Sequence, residues 1–193
     1  MFLTGDVMYD AALYNAQLAE DKSDIMERLD LSSGDYYLAT VHRPANTDNK
    51  ENLGNIFQAF GELDQILILP IHPRTRKALS IQGIAIPGNV QVIDPVGYLD
   101  MLTLEKNARA ILTDSGGIQK EAYIFGVPCV TLREDTEWWE TVDAGWNSLV
   151  GADPDLILKA ALEPAVPEDR PDLFGDGKAA EKIADLIKKE YLK

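Results

Sequence analysis

The 193-residue sequence predicts an α/β fold: a single Rossmann-like, doubly wound parallel sheet of about six strands. Three observations predict it. Short runs rich in Val, Ile, Leu and Tyr recur along the chain, and several are apolar at consecutive positions, as strands covered on both faces require. The stretches between them are long enough for a helix and carry apolar residues at three- and four-residue steps. Both histidines, His42 and His72, fall immediately after such a run, where an open parallel sheet gathers its functional side chains.

Residues 1–20 read as a leading, hinge-like helix. Asp6 is its expected cap, and Val7, Ala11, Tyr14 and Leu18 form an apolar stripe. Strands are expected at Tyr36–Val41, Ile66–Ile71, Val90–Ile93, Ala110–Thr113, Cys129–Leu132 and Ser148–Val150. Between Asn52 and Leu63 the residues Leu53, Ile56, Phe57, Phe60 and Leu63 share one helical face. Similar patterns place helices at Tyr98–Asn107, Ile118–Phe125 and Asp155–Leu162. Residues 163–177, with Pro164, Pro167 and Pro171, read as a loop leading to a last helix at Ala179–Leu192. That helix carries Ile183, Leu186, Ile187 and Tyr191 on one face. Residues 1–193 therefore read as one domain, without internal repeats.

Composition excludes several classes. With 32 acidic against 18 basic side chains and a net charge of -14, the chain lacks the basic surface of a nucleic-acid or anionic-membrane binder. The lone Cys129 and two histidines build neither a disulfide framework nor a Cys- or His-rich metal cage, so no metal site is expected. No apolar run approaches the roughly 20 residues of a membrane span, and no signal-peptide pattern opens the chain. The expected location is the cytoplasm. The charge is uneven: residues 1–64 and 134–193 each carry a net of -8, and residues 65–133 carry +2. Either an anion site lies in the middle third, or its buried strands simply hold few acids.

The residues that follow the strands carry the chemistry. His42 and Arg43 follow the first, His72, Arg74 and Arg76 the second, and Arg133 the fifth. Asp114-Ser115-Gly116-Gly117 follows the fourth and opens a helix. Amides of Ser115, Gly116 and Gly117 at the positive end of that helix suit a phosphate, and the glycines let it approach closely. The same pattern also occurs merely as a helix cap. Glu121 lies one turn further on. Its carboxylate suits the two adjacent hydroxyls of a ribose; the alternative is a solvated helix glutamate. Amides for phosphate and a carboxylate for a diol together describe a nucleotide. His42 beside a diphosphate would be held protonated by it, or is a core histidine with satisfied nitrogens. Arg133 either neutralises phosphate or pairs on the surface with Glu134 or Asp135. His72-Pro73-Arg74 reads as a polar loop that begins a helix rather than a second anion contact. Trp138 and Trp139 are adjacent, so at most one is fully buried in a single core.

These residues lie in a series of motifs that runs nearly the full length. In order they are Leu3-Thr4-Gly5-Asp6, Val41-His42-Arg43-Pro44-Ala45-Asn46, Ile71-His72-Pro73-Arg74 and Pro95-Val96-Gly97-Tyr98-Leu99. They continue with Thr113 through Ala122, Gly126-Val127-Pro128, Leu132-Arg133 and Gly145 through Gly151. The chain thereby resembles the C-terminal half of the UDP-N-acetylglucosamine 2-epimerase family. The resemblance implies one half of a GT-B-type fold, in which two Rossmann-like domains hold a UDP-sugar between them. It implies that Ser115, Gly116 and Gly117 hold the diphosphate, Glu121 the ribose hydroxyls, and that the loop from Val96 to Met101 borders the uracil. It places His42 near the departing diphosphate; the residues' own chemistry makes Arg43 and Arg133 the cations that would neutralise charge beside it.

The reaction so implied interconverts UDP-GlcNAc and UDP-ManNAc by elimination and re-addition of UDP, with no metal or nicotinamide cofactor. The carboxylates thought to move the C2 proton belong to the family's N-terminal domain. The expected partners are therefore UDP or a UDP-N-acetylhexosamine, that domain or a partner chain supplying it, and a second copy as a homodimer. A stand-alone UDP-sugar-binding module, a C-terminal glycosyltransferase domain and the hydrolysing branch of the epimerases remain as alternatives. One departure stands out: Trp138 occupies a position where many members carry arginine.

Overall fold

The computed structural model describes residues 1–191. In chain order the elements are α1 (Val7–Lys22), α2 (Ile25–Arg28), β1 (Tyr36–Thr40), α3 (Pro44–Thr47), α4 (Lys50–Gly61) and β2 (Ile66–Pro70). There follow α5 (Pro73–Gln82), β3 (Val90–Ile93), α6 (Tyr98–Asn107), β4 (Ala110–Thr113) and α7 (Gly116–Phe125). The chain continues through β5 (Cys129–Thr131), α8 (Trp139–Asp143), β6 (Asn147–Leu149), α9 (Pro154–Leu162) and α10 (Ala179–Tyr191). The six strands form one sheet in the order β3-β2-β1-β4-β5-β6, and every neighbouring pair is parallel. The doubly wound parallel sheet expected from the sequence is the observed one, with each strand within a residue of its expected place.

Alternation along β1 shows why the strand runs are continuously apolar. Tyr37 and Ala39 face one layer, where Leu53, Ile56, Phe57 and Phe60 of α4 pack with Leu79 of α5 and Ile157 of α9. Tyr36 and Leu38 face the other, against Ile25 of α2, Leu104 of α6 and Ala122 of α7. Successive side chains point to opposite faces, and both faces are covered by helices. The α4 face read from the sequence is wholly buried.

The short helices α2, α3 and α8 were not among the expected elements, and three longer helices differ in the faces they bury or in how far they were legible. In α1 the buried residues are Ala12 and Ala19, whereas Tyr14 of the expected stripe is 65% exposed and Val7 is exposed too. The helix lies on α6 and α7 through its alanines, which permit close approach. The largest apolar side chains pointed to the wrong face. On α10 Ile183 and Ile187 are likewise exposed, and the expected end at Leu192 lies outside the described residues. Finally, α5 was legible only as the start of a helix after His72. It buries only Thr75 and Leu79, too few for a periodic signal. His72 Nδ1 accepts from the Arg74 amide at 3.1 Å and caps this helix, the plainer of its two readings.

Helix ends follow local chemistry. Asp6 accepts from the Met8 amide at 2.8 Å, and Asn49 and Asp153 cap α4 and α9 in the same way. Gly126 closes α7 with φ +69°. A Cβ there would lie 2.9 Å from Arg170 Nη1, which donates to the carbonyls of Tyr123 and Ile124.

Candidate functional site

The strand order reverses between β1 and β4, and the crevice for ligands in such sheets opens beyond the carboxyl ends at that point. The register pairs Thr40 with Thr113, and their hydroxyls are 2.6 Å apart. The residues that follow each strand, His42-Arg43 and Asp114-Ser115, are thereby brought together although 72 positions separate His42 from Asp114.

Asp114 is the knot of the crevice. Fully buried, its carboxylate accepts from the His42 amide at 3.0 Å, the Arg43 amide at 2.8 Å and Asn46 Nδ2 at 3.0 Å. His42 Nδ1 lies 3.4 Å away, and Arg43 Nε donates to the Asp114 carbonyl at 3.3 Å. The sequence reading used Asp114 only as the start of a motif. Its role as the strap between β1 and β4 depends on strand register and could not be read from spacing.

At the start of α7 the amide of Ser115 donates to Thr113 Oγ1 at 2.9 Å, which corrects the expectation that it faces a ligand. The first capping turn closes with the Gln119 amide on the Ser115 carbonyl at 3.1 Å. The amides of Gly116, Gly117 and Ile118 therefore have no acceptor within the helix. Ser115, at the N-cap, makes no side-chain cap bond. The helix begins two residues earlier than expected, which puts both glycines inside its first turn. A Cβ on Gly116 would meet Glu137 Oε2 at 3.2 Å and Trp138 Nε1 at 3.4 Å. The absence of a side chain there lets the loop 133–138 lie against the turn.

Glu121 is not the solvated glutamate of the plainer reading: it is 6% exposed and accepts from the Tyr98 hydroxyl at 2.7 Å. Burial raises its pKa above the usual carboxylate range, against the opposing pull of the Tyr98 bond and the Lys120 charge. Tyr98 was missed as a site residue. The only available signal was its place in the Pro95–Leu99 motif, because the contact spans α6 and α7.

His42 is half-buried. Burial holds its pKa below the ordinary histidine value, Asp114 opposes that, and His72 and Arg43 add to it. The ring centroids of His42 and His72 are 5.5 Å apart. A depressed histidine is protonated in the unfolded chain before the folded one. Its contribution to stability is present above the unfolded value of about 6.5 and is lost as pH falls below it. Replacement by Asn should flatten the acid limb of the thermal-stability profile below about pH 6.5. An unchanged limb would assign that loss to other groups.

Arg133 is 14% exposed along its side chain. It pairs with Asp135 at 3.0 Å and Glu137 at 2.9 Å, so the ion-pair reading holds with Glu137 in place of Glu134. Glu137 in turn lies against Gly116, which keeps Arg133 at the rim of the same turn. A cleft of about 750 Å³ beside it is lined by Arg43, Asn46, Asn52, Arg133, Glu134 and Gly151, among others, with Ser115 and Glu121 outside it. Among the described residues no cluster of three or more His, Cys, Asp or Glu is placed to hold a metal ion, and no helix is long and apolar enough to cross a membrane.

A family model described as UDP-N-acetylglucosamine 2-epimerase matches residues 1–188. The chain belongs to this family. A UDP-N-acetylglucosamine 2-epimerase homolog from Methanococcus maripaludis is 49% identical over 97% of the chain and 54% of the relative. A UDP-2,3-diacetamido-2,3-dideoxy-D-glucuronate 2-epimerase from Pseudomonas aeruginosa is 45% identical over 96% of the chain and 52% of the relative. The crystal structure of the Methanocaldococcus jannaschii UDP-GlcNAc 2-epimerase in complex with UDP-GlcNAc and UDP superposes with a TM-score of 0.85. It is 41% identical and covers 97% of this chain and 54% of that one. The chain thus spans about half the length of the relatives it matches.

Trp138, the position the resemblance set against an arginine, takes a structural place in this family member. Its Nε1 donates to the Gly116 carbonyl at 2.8 Å. Lys120 Nζ lies 4.4 Å from its ring centroid, next to Asp6, with which the ammonium pairs. A cation–π contact and a backbone brace thus occupy that position. Trp139 is exposed, so neither tryptophan is fully buried. Val96 and Met101 are partly buried against the α6–α7 layer. They flank Tyr98, whose hydroxyl reaches Glu121.

Proposed function

We propose that this chain is the UDP-binding half of a 2-epimerase acting on a UDP-linked 2-acetamido sugar. One observation carries the reading. A nearly buried carboxylate, Glu121, braced by Tyr98, stands one turn from the unpartnered amides of Gly116 and Gly117 at the β1/β4 switch point. The amides and the Ser115 hydroxyl take the diphosphate, at the positive end of α7. Glu121 accepts from the ribose hydroxyls, and Val96 to Met101 border the uracil. Arg43 and Arg133 supply positive charge, the latter by exchanging Glu137 for phosphate.

His42 is the catalytic residue on this side of the crevice. Neutral when the site is empty, it takes up a proton as the diphosphate arrives, because a nearby dianion favours the imidazolium. In the elimination, the C2 proton goes to a base and the C1–O bond breaks. The bond's electrons remain on the UDP oxygen, which an imidazolium at His42 stabilises. UDP then re-adds to C1 on the face it left, and a proton is delivered to C2 on the face opposite the one it came from, so that C2 alone is inverted. The base lies in the half that the longer relatives possess and this chain does not span. UDP is common to the names of these relatives, whereas the sugars differ, so the nucleotide is assigned here and the sugar only to its class.

Calorimetric titration tests the reading. UDP should bind more tightly than UMP or ADP, and the chain alone should leave UDP-GlcNAc unchanged. In buffers of different ionisation enthalpy, binding near pH 7 should take up a fraction of a proton, and the His42→Asn variant should lose that uptake. No preference for UDP would overturn the assignment. Uptake that survives in His42→Asn would remove His42 from its role.

A further inference from the structure

Glu105 has no part in the site as described, yet it is the most unusual charged residue of the fold. It lies on α6 with no exposed surface, and neither carboxylate oxygen has a hydrogen-bond partner among the described residues. The polar groups around it are engaged elsewhere. The Tyr36 hydroxyl on β1 donates to the Leu104 carbonyl at 2.6 Å, and Cys129 on β5 lies 3.8 Å from Thr131 Oγ1. Cations on the surrounding helices are spent outward: Lys106 on Glu20 of α1, Arg28 of α2 on Asp100, and Lys120 of α7 on Asp6. An ionised carboxylate here would give up its hydration and receive nothing in return, so the group stays neutral.

The charge whose field reaches it is that of Glu121. Tyr98 and Glu105 are two turns apart on α6, hence on one face, and that face carries the Tyr98 hydroxyl to Glu121. Burial holds the Glu105 carboxyl well above the usual carboxylate range, and the Glu121 charge raises it further. We propose that Glu105 is a positioning residue for Glu121: a neutral carboxylic acid packed behind it, which leaves Glu121 as the single negative charge offered to a ribose diol. The two carboxyls behave as one pair with one proton. When the pair loses that proton at alkaline pH, like charges face each other in a dry layer. Glu121 then swings outward and the diol loses its acceptor. The inference rests on the reading that Glu121 binds ribose.

Comparison of Glu105→Gln with the wild type tests it. Because UDP titrates identically in both, the informative quantity is the ratio of their UDP dissociation constants. That ratio should be close to one at about pH 6, and by about pH 8.5 should shift at least fivefold in favour of the variant. With 2′-deoxy-UDP the shift should vanish. A ratio independent of pH, or the same shift with 2′-deoxy-UDP, overturns the positioning role while leaving the nucleotide site intact. No UDP binding, or equal binding of UDP and 2′-deoxy-UDP by the wild type, overturns the ribose reading and the inference with it. A second measurement requires no variant to fold. The infrared spectrum of the wild-type chain near neutral pH should show a carboxylic-acid C=O stretch that bleaches on alkalinisation. Its absence would mean that Glu105 is ionised and the proposal wrong. Stability supplies a sign as well. A carboxyl raised in the folded state costs stability progressively as pH rises above about 4.5, so the melting temperature of Glu105→Gln should fall less steeply there.

Discussion

UDP should bind Glu121→Gln at least about tenfold more weakly than the wild type, the loss of one or two charge-assisted hydrogen bonds at roughly 1.5–3 kcal/mol each. The amide keeps the shape and leaves the α7 amides untouched, so the loss should fall on the diol and not on the phosphate. Titrating 2′-deoxy-UDP into both proteins separates the two. The wild type should discriminate against the deoxy ligand, and the variant should not. The pH dependence has a definite sign. Burial raises the Glu121 pKa, so its carboxylate is lost on the acid side at a higher pH than an ordinary glutamate would be. Wild-type UDP affinity should therefore weaken toward acid pH, and Glu121→Gln should be flatter there. Equal affinity of the two proteins for UDP would place the ribose elsewhere.

Replacement of Asp114 by Ala should cost about 3–5 kcal/mol of folding stability and most of the UDP affinity. The carboxylate accepts from two backbone amides and from Asn46, and truncation strands these donors in a buried layer at about 1–3 kcal/mol apiece, partly recovered by entering water. For a domain of this size, that corresponds to a melting temperature lower by about 10 °C. Asp114→Asn retains one acceptor oxygen and should fall between. Urea unfolding would give the stability, and titration of the surviving folded protein the affinity. A loss below about 1 kcal/mol would mean that the ends of β1 and β4 are held together by the sheet alone.

The sheet was legible because its strands are covered on both faces. Continuous apolar runs such as Tyr36–Ala39 and Ala110–Leu112 have no other use in a domain of this kind. The motif at Ser115–Gly117 was legible because a strand, a small-residue turn and a helix are contiguous in sequence. The first helix was misjudged on the same principle that served elsewhere. Its larger apolar side chains, Val7 and Tyr14, are exposed, and its contact with α6 and α7 runs through Ala12 and Ala19. Hydrophobicity ranks large residues first, whereas close helix packing selects small ones.

The sequence by itself determined the class of sheet, the order of its elements, the Ser-Gly-Gly turn that opens α7 and the presence of a carboxylate one turn beyond it. Those features depend on neighbours along the chain. Tertiary structure alone decided that Asp114 straps β1 to β4, that the Ser115 amide is spent on Thr113, that Tyr98 braces Glu121 and that Glu105 is buried without a hydrogen-bond partner among the described residues. Each of those joins residues from different elements, and the register of one strand on another, or of one helix on its neighbour, fixes the contact. The net charge of -14 sits largely at the two ends. In the middle third, burial rather than neutralisation governs the carboxylates Glu105 and Glu121, because desolvation at those depths outweighs what any exposed charge contributes.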